Sequence, residues 1–209
     1  MRAELDAAVA TFGSWVNGAG EGFCPKEETL QGWFCAALLQ SKVAEHPTQI
    51  IQEIHLGDAT ELNALPPHLR ERRGQTRQGG RAHWRYDIAV LAERAAGAVR
   101  DLERLSRPPR LLVEIKALNS AGTLSMANLR SDLRKLDLAR EYLDRLWPHA
   151  GSASQETILL MLIVATDCNG VSSRDEVDVR IERIERGVPA LHSKFDKVQV
   201  ALILPTTRR

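Results

Sequence analysis

The hydrophobic positions of this chain alternate between a helical period and short apolar runs, and each change of period marks an element. Leu5 to Trp15 has the spacing of a short amphipathic helix, followed by a glycine-rich break from Gly18 to Gly22. Pro25 sits at a helix start, with Glu27 and Glu28 in the first turn, where carboxylates suit the helix dipole. Leu30, Trp33, Phe34, Ala37 and Leu38 carry that helix to about Glu45, and Pro47 ends it. Gln49 to Leu56, Trp84 to Leu91 and Arg110 to Leu118 read as three strands, and the connection from Ala92 to Pro109 has helical composition as far as Leu105. Leu129, Leu133, Leu136, Leu143 and Leu146 mark a long amphipathic helix that stops at Pro148. Thr157 to Thr166 is apolar on both faces, as a central parallel strand is. Ser173 and Glu176 form a capping box for a helix closed by Gly187, and Val198 to Leu204 is a last strand.

This order predicts an α/β sheet covered by helices. The first three strands form a meander, and the helix from Leu129 makes a right-handed crossover to a parallel strand. The polar segment from Gly57 to His83 is too long for an ordinary connection in a compact domain. It and the strand after it carry Arg70, Arg72, Arg73, Arg77, Arg81 and Arg85, with His83 and Trp84 interleaved. Such a stretch suits phosphate contacts and base stacking, and a solvated loop has the same composition.

The third strand, Leu111-Leu112-Val113-Glu114-Ile115-Lys116, is apolar until two opposite charges appear on one face at its end. The second strand carries one carboxylate, Asp87, near its beginning. If the two pair antiparallel, the register that sets Leu91 opposite Arg110 also sets Asp87 opposite Glu114. Directly opposed side chains have Cβ atoms about 5 Å apart, and two carboxylates that close call for a cation between them. Asp87 and Glu114 are therefore candidate ligands for Mg2+ or Mn2+, with the Ile115 carbonyl as a third oxygen. Lys116 shares the face of Glu114 and is placed to orient an attacking water or to meet developing negative charge. Acting as a base would require its pKa to fall well below about 10.4, so the positioning role is favoured. The plainer alternative is a solvent-facing strand with its charges paired across to Arg85, but Leu112 and Ala89 make the rest of those faces apolar.

Asp87 followed, after a long connection, by Glu114-Ile115-Lys116 resembles the PD-(D/E)XK superfamily, the restriction-endonuclease-like nucleases, over roughly Pro25 to Thr166. Tyr86 stands where the family name has proline. The resemblance implies a restriction-endonuclease-like mixed sheet, an αβββαβ core with an added helix and strand, flanked by helices. It divides the chain into an N-terminal helix and linker over 1–22 and a nuclease-like domain over 23–209, with the basic insertion at 57–83. It also implies an acid from the first core helix. Glu27, on the stripe of Leu30 and Phe34, is that choice, and Glu28 is the reserve. Asp132 and Lys135 resemble polar positions that face the active-site edge in some members, but their spacing favours a plain intrahelical ion pair. Lys135 is counted with Arg72, Arg73, Arg77, Arg81 and Arg85 among the cations that would contact nucleic acid.

At 209 residues and a formal net charge of +1, the chain suits one ordinary globular domain rather than a protein that coats nucleic acid. Cys24, Cys35 and Cys168 lack zinc spacing, so reduced thiols in a cytoplasmic setting are expected. No apolar run approaches the roughly 20 residues that span a membrane, and no phosphate-binding glycine loop or HExxH pair is present. The expected function is metal-dependent hydrolysis of nucleic acid, DNA first with RNA open, in defence, repair or mobile-element biology. A homodimer, or partner subunits of a defence or repair complex, would supply two sites for a duplex. The alternative from another class is a domain of the same fold that binds nucleic acid or a protein without cutting.

Overall fold

The computed structural model describes residues 1–19, 23–55, 85–95, 97, 99, 101–118, 126–148, 157–166, 179, 182, 183, 185–187, 189, 195 and 197–204. Two helices come first, α1 (Arg2–Gly18) and α2 (Glu27–Gln40). The strands β1 (Ile50–His55), β2 (Arg85–Val90) and β3 (Leu111–Leu118) follow. Helix α3 (Met126–Leu146) then leads to β4 (Ile158–Ala165) and β5 (Val198–Ile203). The sheet order is β1-β2-β3-β4-β5, with β1 to β3 an antiparallel meander and β4 and β5 parallel to β3. The chain is thus a mixed α/β fold with a five-stranded mixed sheet, and α3 makes the crossover that the pattern predicts.

Strict alternation along β3 and β4 sends side chains to two separate cores. Leu111, Val113, Ile115, Leu160, Leu162 and Val164 face α1 and α2. Leu112, Leu159, Met161 and Ile163 face Leu129, Leu133, Leu136 and Leu143 of α3. Both faces of the central strands are therefore dry, which explains why β4 reads as a continuous apolar run. Helix α1 is part of the first core. Its Leu5, Ala8, Phe12 and Val16 are buried, and the Phe12 ring meets Phe34 of α2 edge to face at 5.3 Å. An edge-to-face pair adds about 0.5 to 1.5 kcal/mol beyond area burial.

Two elements depart from the sequence pattern. Helix α2 ends at Gln40 rather than near Glu45. Lys42 takes φ of 58°, its N–H donates to Leu39 O, and the Val43 N–H donates to Leu38 O. This is a Schellman close with lysine at the left-handed position, clamped by buried Val43 and Leu38. The connection from Ala92 to Leu105 does not follow its helical composition. Its described residues are irregular apart from a short 3-10 turn at Leu102–Arg104. Tertiary contacts override composition there: the Ala95 N–H donates to Thr48 O at 3.1 Å, and Asp101 bridges to His55 at the end of β1. In the helix predicted from Ser173 to Gly187, the described positions 179, 182, 183 and 185–187 are helical, as is Pro189. Its capping box lies outside the described residues.

Cys35 is a free thiol, whereas Cys24 is disulfide-bonded. That corrects the expectation of three reduced thiols and removes the argument from thiols to a reducing compartment. Among the described residues no helix is long and apolar enough to cross a membrane.

Candidate active site

The register of β2 on β3 is the one anticipated from sequence. Ala89 pairs with Leu112 and Val90 with Leu111, which brings Asp87 level with Glu114. Backbone pairing stops one step short, at Ile88 with Val113. From there the Asp87 side chain takes over, its Oδ2 accepting the Ile115 N–H at 2.6 Å. A strand residue presents its N–H and C=O to the same neighbour. The Ile115 carbonyl therefore faces the same gap between β2 and β3 as the Asp87 carboxylate.

A matched irregularity in β1 and β2 flanks this gap. Ile51 and Ile54 both pack in the α3 core, as do Ala89 and Tyr86 across from them, although residues three apart on a regular strand face opposite ways. The extra half-step falls at Glu53, whose φ is 57°, directly across from Asp87 in the β1–β2 register. A left-handed glutamate within a strand costs about 1 to 3 kcal/mol. Its carboxylate pairs with Arg85 at 2.9 Å. The same half-step lets buried Tyr86 reach α3, where its hydroxyl donates to Lys135 O at 3.1 Å.

The predicted site residues converge at the C-terminal half of β3. Lys116 Nζ lies 3.2 Å from Glu114 Oε1 and 3.8 Å from both Glu27 Oε2 and Asp132 Oδ2. Glu27 opens α2, and its Oε1 also accepts the Ala117 N–H at 3.4 Å. Glu28 is exposed, so Glu27 is the helix acid that reaches the strand. Lys135 Nζ contacts Glu114 Oε2 at 2.5 Å and donates to Arg85 O at 2.8 Å. The intrahelical pairing favoured for Asp132 and Lys135 gives way to contacts across to the sheet. Asp132 shares a helix face with Leu129 and Leu136, and Lys135 shares one with Ala139 and Tyr142. A charge on a core-facing stripe was the available signal, and local spacing outweighed it.

Among the described residues, four carboxylates, Glu27, Asp87, Glu114 and Asp132, surround two ammonium groups, an excess of two formal negative charges. Burial first, and then the charge of Glu114, push the Asp87 pKa up to about 6 against the pull of the Ile115 N–H and both lysines. Burial likewise raises Asp132. For Lys116 burial favours the neutral amine, but Glu114, Asp132, Glu27 and Asp87 together overcome it and hold the pKa above its ordinary value. Lys116 is therefore a permanent ammonium here, suited to orienting a group and balancing charge rather than to taking a proton.

Among the described residues no group of three or more histidine, cysteine or acidic side chains is gathered as a metal cage. Magnesium does not require one, since it binds through one or two carboxylates with waters and substrate oxygens. Asp87, Glu114 and the Ile115 carbonyl are oxygen donors of that kind, and Glu114 Oε2 is buried without a directed hydrogen bond. Of the predicted nucleic-acid contacts, Arg85 opens β2 and is half exposed. Arg72, Arg73, Arg77 and Arg81 lie outside the described residues. No family model matches the chain, and neither a curated protein nor a solved structure matches it.

Proposed function

We propose that this chain is a divalent-metal-dependent phosphodiesterase acting on nucleic acid, with a restriction-endonuclease-like fold. One observation carries the reading. The Asp87 and Ile115 oxygens share the gap between β2 and β3 level with Glu114, and the Lys116 ammonium is 3.2 Å from Glu114. The meander of β1 to β3 followed by a crossover to parallel β4 supports the same fold assignment. Asp87, Glu114 and the Ile115 carbonyl would hold Mg2+ or Mn2+, which supplies charge neutralisation at the phosphate and a more acidic bound water.

The protein groups then have separable roles. Lys116, charged throughout, orients the attacking water and meets negative charge as it develops on the phosphate. Glu27 and Asp132 hold that ammonium from α2 and α3. The arginines of the segment before β2, with Arg85, would track the backbone phosphates of DNA or RNA. Cutting both strands of a duplex usually takes two sites, so a homodimer or partner subunits of a defence or repair complex belong to the same proposal.

A second reading has its own observation. Lys116 and Lys135 both contact Glu114, an arrangement that balances its charge without metal and suits a binding module that does not cut. Incubating the protein with plasmid, linear duplex, single-stranded DNA and RNA, each with manganese or with chelator, separates the two. Metal-dependent cleavage of any of them supports the nuclease, and binding without cleavage supports the module.

A further inference from the structure

Glu114 is the most buried acid of the site, with its side chain 4% exposed, and its two oxygens are treated differently. Oε1 meets Lys116, a neighbour on the same strand face. Among the described residues Oε2 meets the ammonium of Lys135, at 2.5 Å and without a directed hydrogen bond, and that ammonium comes from α3. Resting on the proposed metal site, we infer that Lys135 is a stand-in cation: its ammonium occupies a Glu114 oxygen that a divalent metal would need, and metal binding displaces it.

The anchoring of Lys135 fits a side chain that can leave while its backbone stays. The Tyr86 hydroxyl fixes the Lys135 carbonyl, and buried Tyr86 cannot follow the ammonium outward. The flexible four-carbon stem can turn without disturbing α3. While in contact with Glu114, Lys135 Nζ also lies 5.3 Å from the Tyr86 ring centroid and donates to Arg85 O, so Glu114 is one of three groups that stabilise its charge. A magnesium ion about 2.1 Å from the same carboxylate would meet strong repulsion from an ammonium still in contact with it. Once displaced, the charge is free to meet an anionic substrate, which couples metal loading to phosphate binding.

The inference is tested with metal alone. Manganese and calcium are titrated calorimetrically into the wild type and into Lys135→Met, which keeps the stem and removes the charge. Tighter binding by the variant, about tenfold or more as for one charge-assisted contact, is expected. Equal or weaker binding by the variant overturns the displacement, while the wild-type isotherm still upholds the metal site. No binding by either protein overturns the metal site and this inference with it. Should Lys135→Met fail to fold, acylation of wild-type lysines with an activated ester, read by mass spectrometry, gives the same answer. Lys135 should label faster with magnesium than with chelator, and an unchanged or slower rate overturns the proposal.

Discussion

The Asp87 carboxylate takes the place of a missing strand contact, accepting the Ile115 N–H at 2.6 Å where β2 and β3 stop pairing. The aspartate is thereby buried beside Glu114, and its pKa rises to about 6. Between the ordinary value of 3.8 and about 6, the folded protein holds a proton that the unfolded chain releases, so stability falls as pH rises through that window. Asp87→Asn keeps an acceptor for Ile115 and does not titrate. In chelator it should be more stable than wild type at pH 7.5, by on the order of 2 kcal/mol, with the difference closing toward pH 3.5. Urea melts of both proteins across that range check this, and a variant less stable than wild type at pH 7.5 would contradict the assigned burial.

A ligand that binds only the folded state raises the melting temperature by mass action. Manganese at a hundredfold excess over its dissociation constant should raise the wild-type melting temperature by about 5 °C or more. Asp87→Asn, although more stable without metal, should lose that rise. A wild-type melting temperature that does not respond to millimolar manganese would count against Asp87 and Glu114 as ligands.

Glu27 and Glu28 are neighbours in one helix turn, but only Glu27 reaches Lys116 and the Ala117 N–H. Glu27→Gln should lower cleavage by about tenfold, the scale of one weakened charge-assisted contact. Glu28→Gln should cut like wild type. Equal losses in the two variants would assign the effect to the helix terminus rather than to the site.

Much of this arrangement was legible because it follows from period and register. The apolar faces of β3 end in Glu114 and Lys116, and matching β2 to β3 through Leu91 and Arg110 brings Asp87 level with Glu114. The Glu27 stripe is likewise a matter of helical spacing. What was not legible depends on contacts between distant segments. The left-handed Glu53 breaks the alternation of β1 without any glycine to announce it. Asp132 and Lys135 look like a local pair until the crossover lays α3 against β3, where Lys116 and Glu114 compete for them. The segment from Ala92 to Leu105 has helical composition, but its backbone is drawn to the edge of β1 instead.

In the proposed chemistry Lys116 would act in the transition state, with metal and the basic surface already holding the phosphate in the ground state. The most direct test is a single-turnover comparison of wild type, Lys116→Ala and Glu114→Ala on whichever substrate the wild type cuts in manganese, with nucleic-acid and metal affinities measured alongside. Lys116→Ala should bind nucleic acid nearly as well as wild type and lose about a hundredfold or more in cleavage rate, whereas Glu114→Ala should lose cleavage and metal affinity together. If Lys116→Ala cuts at the wild-type rate, or if the wild type binds nucleic acid and cuts none with any divalent metal, the proposed chemistry is contradicted.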